Sequence, residues 1–539
     1  MTEQPWWQKA VIYQIYPRSF QDSNGDGVGD LNGILERVDY LSWLGIDAVW
    51  ISPIYPSPMA DFGYDVANYV DIDPLFGTLA DFDRLVKALH ERGIRIILDF
   101  VPNHTSDEHP WFQEARASRD DPKRNWYIWR DPRPDGGPPN NWLSVASGDS
   151  AWKYDPLTAQ YYYHAFLDKQ PDLNWRNPAV RAAMYEVLRY WLERGVDGFR
   201  VDTIWRLIKD AEFRDNPVNP DCRESDPPFR RLLPLHSADQ PEVLEIAAEM
   251  RRVLAKYPGD RLLIGEIYLP VKRLVKYYGP NLTGTHLPFN FNLMFVEWTP
   301  GAVMQLIREY EAVLPAGAWP NWVLGNHDQP RITSRLGPAQ AHVAMVLLMT
   351  LRGTPTLYYG DELGLENVPI PPERARDPFG LHMPGTGQGR DPERTPMPWD
   401  GSRNAGFTAG EPWLPLGEDR SMVSVEAQKG DPGSMLALTQ GLLDLRRREP
   451  SFSLGCWAPL AVEGDVLAYI RSRDGRRFAV VLNLGPPPKT VRFRGNPGGR
   501  VIFATHPGRV GYCIQDRIDL GADEAVIIAI GHATGATGA

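Results

Sequence analysis

Pro178–Asp202, PAVRAAMYEVLRYWLERGVDGFRVD, holds the pattern on which the chain is organised. Met184, Val187, Leu188 and Trp191 fall at helical spacing, the stripe of a helix that buries one face. Gly195 stands where a left-handed cap would close it. The next segment, Gly198–Asp202 (GFRVD), is short, apolar and finishes on a carboxylate. A helix feeding such a strand is one unit of an α/β chain built on a parallel sheet.

Seven further segments repeat the strand pattern: Ala10–Pro17, Ala48–Pro53, Arg95–Val101, Arg261–Glu266, Pro288–Leu293, Trp322–Asn326 and Thr356–Gly360. Eight strands alternating with helical stretches predict a (β/α)8 TIM barrel. One connection is too long for a bare loop. About 70 residues separate the third strand from Pro178, which predicts an inserted subdomain after strand 3. It contains Asp131–Asn140 (DPRPDGGPPN) and the aromatic run Tyr161–Phe166 (YYYHAF). A second excursion, Gly364–Trp413, comes after the eighth strand and is expected in the wall of a pocket. After the helix near Leu436–Arg448, two strands about an Asp-Gly turn (Val466–Gly485) and another at Ala525–Ile530 predict a C-terminal all-β domain. The expected division is 1–103 and 173–455 for the barrel, 104–172 for the insert, 456–531 for a β-sandwich and 532–539 for a disordered tail.

Composition narrows the function. The 539 residues carry 57 Lys and Arg against 68 Asp and Glu, a net charge of -11, and have no basic run, which argues against nucleic-acid binding. Cys222, Cys456 and Cys513 are too few and too scattered for a disulfide framework or a zinc site. No apolar run reaches the roughly 18 residues of a membrane span, and the N-terminal segment lacks the marks of a secretion signal. A cytoplasmic protein, monomer or homodimer, is expected.

Catalytic groups of a barrel sit at the carboxyl ends of its strands. Asp202 ends the fourth strand, Glu266 the fifth, and Asp328 comes after the seventh, with His104, Arg200 and His327 nearby in sequence. Taken singly, an Asp after a strand is more often a helix cap, and each His more often structural than a metal ligand. Three carboxylates on one rim are a different matter. Two carboxyls across a glycosidic bond supply a nucleophile and a general acid. Arg200, two residues before Asp202, shares its side of the strand and can keep it ionised, whereas Glu266 must start protonated.

The sequence resembles the α-amylase family of glycoside hydrolases, within it the α-glucosidase and oligo-1,6-glucosidase group. The resemblance rests on DFVPNH (Asp99–His104), GFRVD (Gly198–Asp202), GEIY (Gly265–Tyr268) and LGNHD (Leu324–Asp328), in the family's order. YQIYPRSF (Tyr13–Phe20), DFGYDV (Asp61–Val66), YYGDELG (Tyr358–Gly364) and RTPMPW (Arg394–Trp399) extend it over nearly the whole chain. It implies Asp202 as nucleophile, Glu266 as acid/base and Asp328 as transition-state stabiliser. Arg200, His104 and His327 would line the sugar site together with Phe166. Tyr64 would stack on the sugar ring, and Asp61 would pair with Arg394 to grip its far hydroxyls, closing the pocket so that only a chain end enters.

Asp22, Asn24, Asp26 and Asp30 stand at positions 1, 3, 5 and 9 of a Gly-rich loop, with Val28 offering a carbonyl: the start of an EF-hand loop, without the Glu at its twelfth position. An Asp/Gly-rich turn without an ion is the alternative. In similar α-glucosidases the matching loop holds Ca²⁺ or Mg²⁺, so a structural divalent cation is expected, and no organic cofactor. Thr203, after the nucleophile, accompanies α-1,4 cleavage in similar enzymes, where Val accompanies α-1,6. The expected activity is a retaining, exo-acting α-glucosidase on maltose-like sugars with some transfer to sugar or alcohol acceptors. A dedicated transglucosylase or sucrose-acting enzyme is the alternative. A non-catalytic family member is remote, because the carboxylates are all present.

Overall fold

A computed structural model describes residues 4–418, 422–494 and 498–531. The tail expected at 532–539 lies outside these. Eight parallel strands form the barrel: β1 (Ile12–Ile15), β2 (Ala48–Ile51), β3 (Arg95–Phe100), β4 (Gly198–Val201), β5 (Leu262–Gly265), β6 (Leu287–Pro288), β7 (Asn321–Val323) and β8 (Thr354–Tyr358). The ladder runs β7–β8–β1–β2–β3–β4–β5–β6. Its seam falls between the two shortest strands.

Alternation along each strand separates two cores. Ile12, Ala48, Trp50, Ile97, Leu262, Ile264 and Val323 pack inside the barrel. Tyr13, Val49, Ile96, Leu98, Phe199 and Leu263 face outward into the larger core under the helices. The helix Pro178–Glu193 buries the expected stripe of Met184, Val187, Leu188 and Trp191, and Gly195 lies just past it at φ 97°. The same period carries Asp99, Arg200, Asp202 and Glu266 onto the inward side, at the carboxyl ends of three adjacent strands. Register completes the placement, since Asp99 lies opposite Arg200 and Val201 opposite Gly265.

The sixth strand is shorter than Pro288–Leu293 suggested. Asn290 Oδ1 accepts from Asn292 N–H at 3.1 Å and from its side-chain amide at 2.9 Å, turning the chain into a helical turn, Asn292–Phe295. Phe289 and Phe291 still reach the barrel interior.

The insert after β3 carries a three-stranded antiparallel sheet, Trp129–Arg130, Gln160–Tyr163 and Trp152–Asp155, with its own core around Trp142 and Trp152. The C-terminal domain packs a six-stranded on a three-stranded antiparallel sheet through Ala468, Val481, Val491, Ile518 and Val526. The other face of the larger sheet, with Tyr469, Val480 and Ile527, joins the barrel's outer core. The Asp474-Gly475 hairpin turn has φ 48° and 80°, the doubly left-handed turn that Asp-Gly favours. No helix among the described residues is long and apolar enough to cross a membrane.

Candidate active site

Arg200 is fully buried over the Trp50 ring, its carbon 4.9 Å from the ring centre. Nη1 donates to Asp202 Oδ1 at 2.7 Å and to Asp99 Oδ1 at 2.9 Å, while Nη2 lies 2.9 Å from Glu266 Oε2. Three carboxyls from neighbouring strand ends thus surround one guanidinium. The Thr203 N–H donates to Glu266 Oε2 at 2.8 Å, and the Thr203 hydroxyl to Asp202 Oδ2 at 3.2 Å. Thr203 does this from φ 38°, ψ 40°, a conformation that a β-branched residue rarely adopts. From that conformation its N–H and hydroxyl reach one carboxyl each.

One cation cannot keep three buried carboxyls ionised. Burial pushes Glu266 well above the usual carboxylate range; Arg200 opposes the shift, and Asp202 and Asp328 add to it. Burial likewise pushes Asp99 up to about 7, against the pull of Arg200 and with the push of Asp202. Burial and the neighbouring carboxylates thus favour the protonated form of Glu266.

Asp328 sits opposite in a different field. Its Oδ1 accepts from Arg394 Nη2 at 2.9 Å and Arg390 Nη1 at 3.1 Å, and His327 Nε2 lies 3.4 Å from Oδ2. Burial would raise its pKa, but His327 and the two guanidiniums override this and hold it well below the usual range. Arg390 Nη2 also binds Asp61 Oδ1 at 2.7 Å and Asp377 Oδ1 at 2.6 Å.

The pairing of Asp61 with Arg394 that the resemblance implied is corrected by this geometry. Asp61 pairs with Arg390, and Arg394 is engaged by Asp328 and by the His327 carbonyl at 2.7 Å. Arg394 is 1% exposed and lies behind the carboxylates, as Arg200 does, so neither lines the cavity. The short turn Asp391–Glu393 separates the two arginines and sends Arg390 to the cavity and Arg394 beneath it.

The remaining residues converge as expected. Asp61, Tyr64, His104, Phe166, Thr203 and His327 line one cavity of about 920 Å³ with Asp202, Glu266 and Asp328. Asn367, Phe379 and Arg390, from the excursion after β8, form part of its wall. Tyr64 stacks on His327 (5.3 Å between centres, 5° between planes), and its hydroxyl donates to Asp99 Oδ2 at 3.0 Å. Gln14 Nε2 donates to His327 Nδ1 at 2.8 Å, so the ring proton sits on Nε2, 2.7 Å from the Tyr64 hydroxyl. His104 contacts the Tyr64 carbonyl at 3.0 Å and Phe166 edge-on at 5.3 Å. Sequence reasoning missed Asp99, Gln14 and Arg390. Asp99 had a signal, since it shares strand parity with Ile97 and register with Arg200; Arg390 had none, because it stands in an irregular segment.

In the Asp22–Asp30 loop, Asp22 Oδ1 accepts from Asn24 and Gly25 N–H, and its Oδ2 from Gly27 N–H and the Thr408 hydroxyl. Asn24 and Asp26 each accept one backbone N–H, and Asp30 caps the helix Leu31–Glu36. Among the described residues no three of His, Cys, Asp and Glu are drawn into a metal cluster. A cation here would depend on Asn24 and the Val28 carbonyl, and the all-oxygen set suits Ca²⁺ or Mg²⁺.

A barrel whose mouth sets two carboxyls from neighbouring strand ends, one of them raised by burial, opposite a third held low by arginines is built to cleave or transfer glycosidic bonds. The family described as alpha amylase, catalytic domain, matches residues 14–455. A probable α-glucosidase of Rhizobium meliloti is 42% identical over 90% of this chain and 91% of its own length. An oligo-1,6-glucosidase of Heyndrickxia coagulans is 40% identical over 92% and 94%. The solved structure of an α-glucosyl transfer enzyme, XgtA, superposes with TM-score 0.93 at 40% identity, covering 98% of this chain and 100% of that one. The chain belongs to the α-amylase family of glycoside hydrolases, and its relatives place it among the glucosidases.

Proposed function

We propose that this enzyme is a retaining α-glucosidase that removes glucose from the non-reducing end of short α-1,4-linked sugars and α-glucosides. The observation that carries the reading is the Asp202–Arg200–Glu266 arrangement, in which one guanidinium bridges two carboxyls from neighbouring strand ends while burial pushes the pKa of the second upward. Asp202 attacks the anomeric carbon as Glu266 gives its proton to the departing oxygen, and the carbon–oxygen bond breaks. Glu266, now ionised, takes a proton from water, whose oxygen displaces Asp202 with a second inversion. Asp328 binds ring hydroxyls as positive charge develops. The Asp61–Arg390 pair closes one end of the cavity, which supports exo action. Thr203 at the leaving-group side supports the α-1,4 preference.

Sugar or alcohol acceptors compete with water at the second step. The likeness to an α-glucosyl transfer enzyme favours a share of transfer, and Tyr268, Phe291 and Phe295 offer apolar faces for an acceptor on the cavity wall. Time-resolved proton NMR with maltose tests the assignment. Early α-glucose with few new linkages supports the hydrolase, dominant new linkages move the enzyme to the transglucosylases, and β-glucose beyond the share that the reducing end of maltose itself releases overturns retention.

The loop Asp22–Asp30 is proposed to take a structural Ca²⁺ or Mg²⁺ through Asp22, Asn24, Asp26, Asp30 and the Val28 carbonyl. A chelator should lower the melting temperature and Ca²⁺ restore it, with Asp26→Ala abolishing the response; an unchanged melt removes the ion. Three unpaired thiols, two of them exposed, support a reducing, cytoplasmic setting.

A further inference from the structure

The loop after β2 that carries Asp61 and Tyr64 contains three left-handed residues, Met59 at φ 63°, Phe62 at φ 49° and Gly63 at φ 106°. Glycine takes that conformation freely, whereas Met and Phe crowd their Cβ against the backbone. Such strain persists only where the surroundings impose it, and it gathers at functional sites. Asp61 lies between the two strained side chains, and Tyr64 follows two residues after the second.

The Asp65 carboxylate fixes this loop through its backbone, accepting the Ala60 N–H at 2.8 Å and the Asp61 N–H at 2.9 Å. The strained side chains themselves are met by Arg18. It belongs to the turn Pro17–Phe20 after β1 and is 9% exposed. Its Nη1 donates to Met59 Sδ at 3.5 Å, and its guanidinium carbon lies 5.0 Å from the Phe62 ring centre and 4.9 Å from that of Trp413. Trp413 meets Phe62 edge-on at 5.4 Å and is anchored in turn, its indole N–H donating to the Ser19 hydroxyl at 3.0 Å. The cation is thus held by one sulfur and two rings, and its side-chain contacts with the loop fall on Met59 and Phe62.

A buried guanidinium ordinarily answers a carboxylate. Among the described residues Arg18 forms no ion pair, and its Nε has no partner. Burial pulls its pKa below the ordinary arginine range. Arg18 does not line the cavity, so it cannot serve by touching the sugar. Its remaining contribution is the attraction of a cation to a sulfur lone pair and two π faces, which a neutral side chain of similar length does not supply.

We propose that Arg18 is a positioning residue, which clamps Met59 and Phe62 and so holds the strained loop in the shape that presents Asp61 and Tyr64 to the sugar. That the sugar is a terminal glucose rests on the α-glucosidase reading.

The test measures glucose binding by titration calorimetry beside KM and kcat for maltose. Arg18→Met should weaken glucose binding and raise KM by about tenfold, within the range of couplings between residues in contact, while kcat changes less than either. Arg18→Lys should keep part of the affinity, which separates lost charge from lost packing. Phe62→Leu removes the clamped ring and leaves Arg18 in place; it should weaken glucose binding likewise, and it decides the matter if Arg18→Met does not fold. Glucose affinity that stays unchanged in these variants, whatever happens to the melting temperature, overturns the clamp while leaving the α-glucosidase intact. An unaltered enzyme that binds glucose but cleaves neither maltose nor nitrophenyl α-glucoside overturns the α-glucosidase reading alone, and one that binds no glucose overturns both.

Discussion

Two ion networks meet in the cavity, and they differ in both support and charge balance. The first joins Asp99, Asp202 and Glu266 to Arg200, all carried by three neighbouring strands. The second joins Asp61, Asp328 and Asp377 to Arg390 and Arg394, carried mostly by loops that are far apart in sequence. Three carboxyls share one guanidinium in the first and two in the second. The consequence is the direction in which burial and charge move each group. Asp99 and Glu266 are raised in the first network, while only Asp61 is raised in the second and Asp328 and Asp377 are held down. A shortage of cations thus favours the protonated carboxyl on one wall, and a fuller complement favours the ionised carboxylate of Asp328 on the other.

The largest effects should come from the first network. Asp202→Ala should reduce turnover of maltose by more than about 10^4-fold with an unchanged circular dichroism spectrum. Substantial residual activity would remove the nucleophile from that network. Glu266→Gln should cost about 10^2–10^4-fold on maltose and far less on nitrophenyl α-glucoside, whose departing oxygen needs no proton. Equal losses on the two substrates would show that its raised pKa serves no acid role.

The second network is tested through its gate. Arg390→Gln removes the partner of Asp61, so kcat/KM for maltose should fall by about 10–10^2-fold, and longer maltodextrins should suffer less as the closed end opens. A uniform loss would mean that the pair supports the fold and does not select chain ends. The smallest effect is on stability against pH. With its pKa raised to about 7, Asp99 keeps a proton in the folded state that the unfolded chain releases at lower pH. Its stabilising share is full below the ordinary carboxylate range and is lost as pH rises towards about 7. In Asp99→Asn the melting temperature should therefore decline less over that interval, and a parallel decline would exclude Asp99 as the source.

The first network was largely legible beforehand. The period of two and the carboxyl-end rule placed Arg200, Asp202 and Glu266 on one rim without any contact being known. Asp99 escaped notice although the same parity contained it. The second network was not legible to the same degree, and pairing Asp61 with Arg394 chose the wrong arginine. Nothing periodic distinguishes Arg390 from Arg394 within Gly364–Trp413, and only the packed loop sends one to the cavity and the other behind it.

Residue order alone was enough for the barrel, its two additional modules and the strand-end positions of Asp202 and Glu266, because strand and helix periods and strand ends are local properties of the chain, while the family was legible through the resemblance of its motifs. Folding in three dimensions settled which cation meets which carboxylate, the left-handed Thr203 that orients two of them, and which carboxyl keeps its proton. Those depend on burial and on charges brought together from segments as distant as Asp61 and Arg390, and no local pattern encodes such meetings.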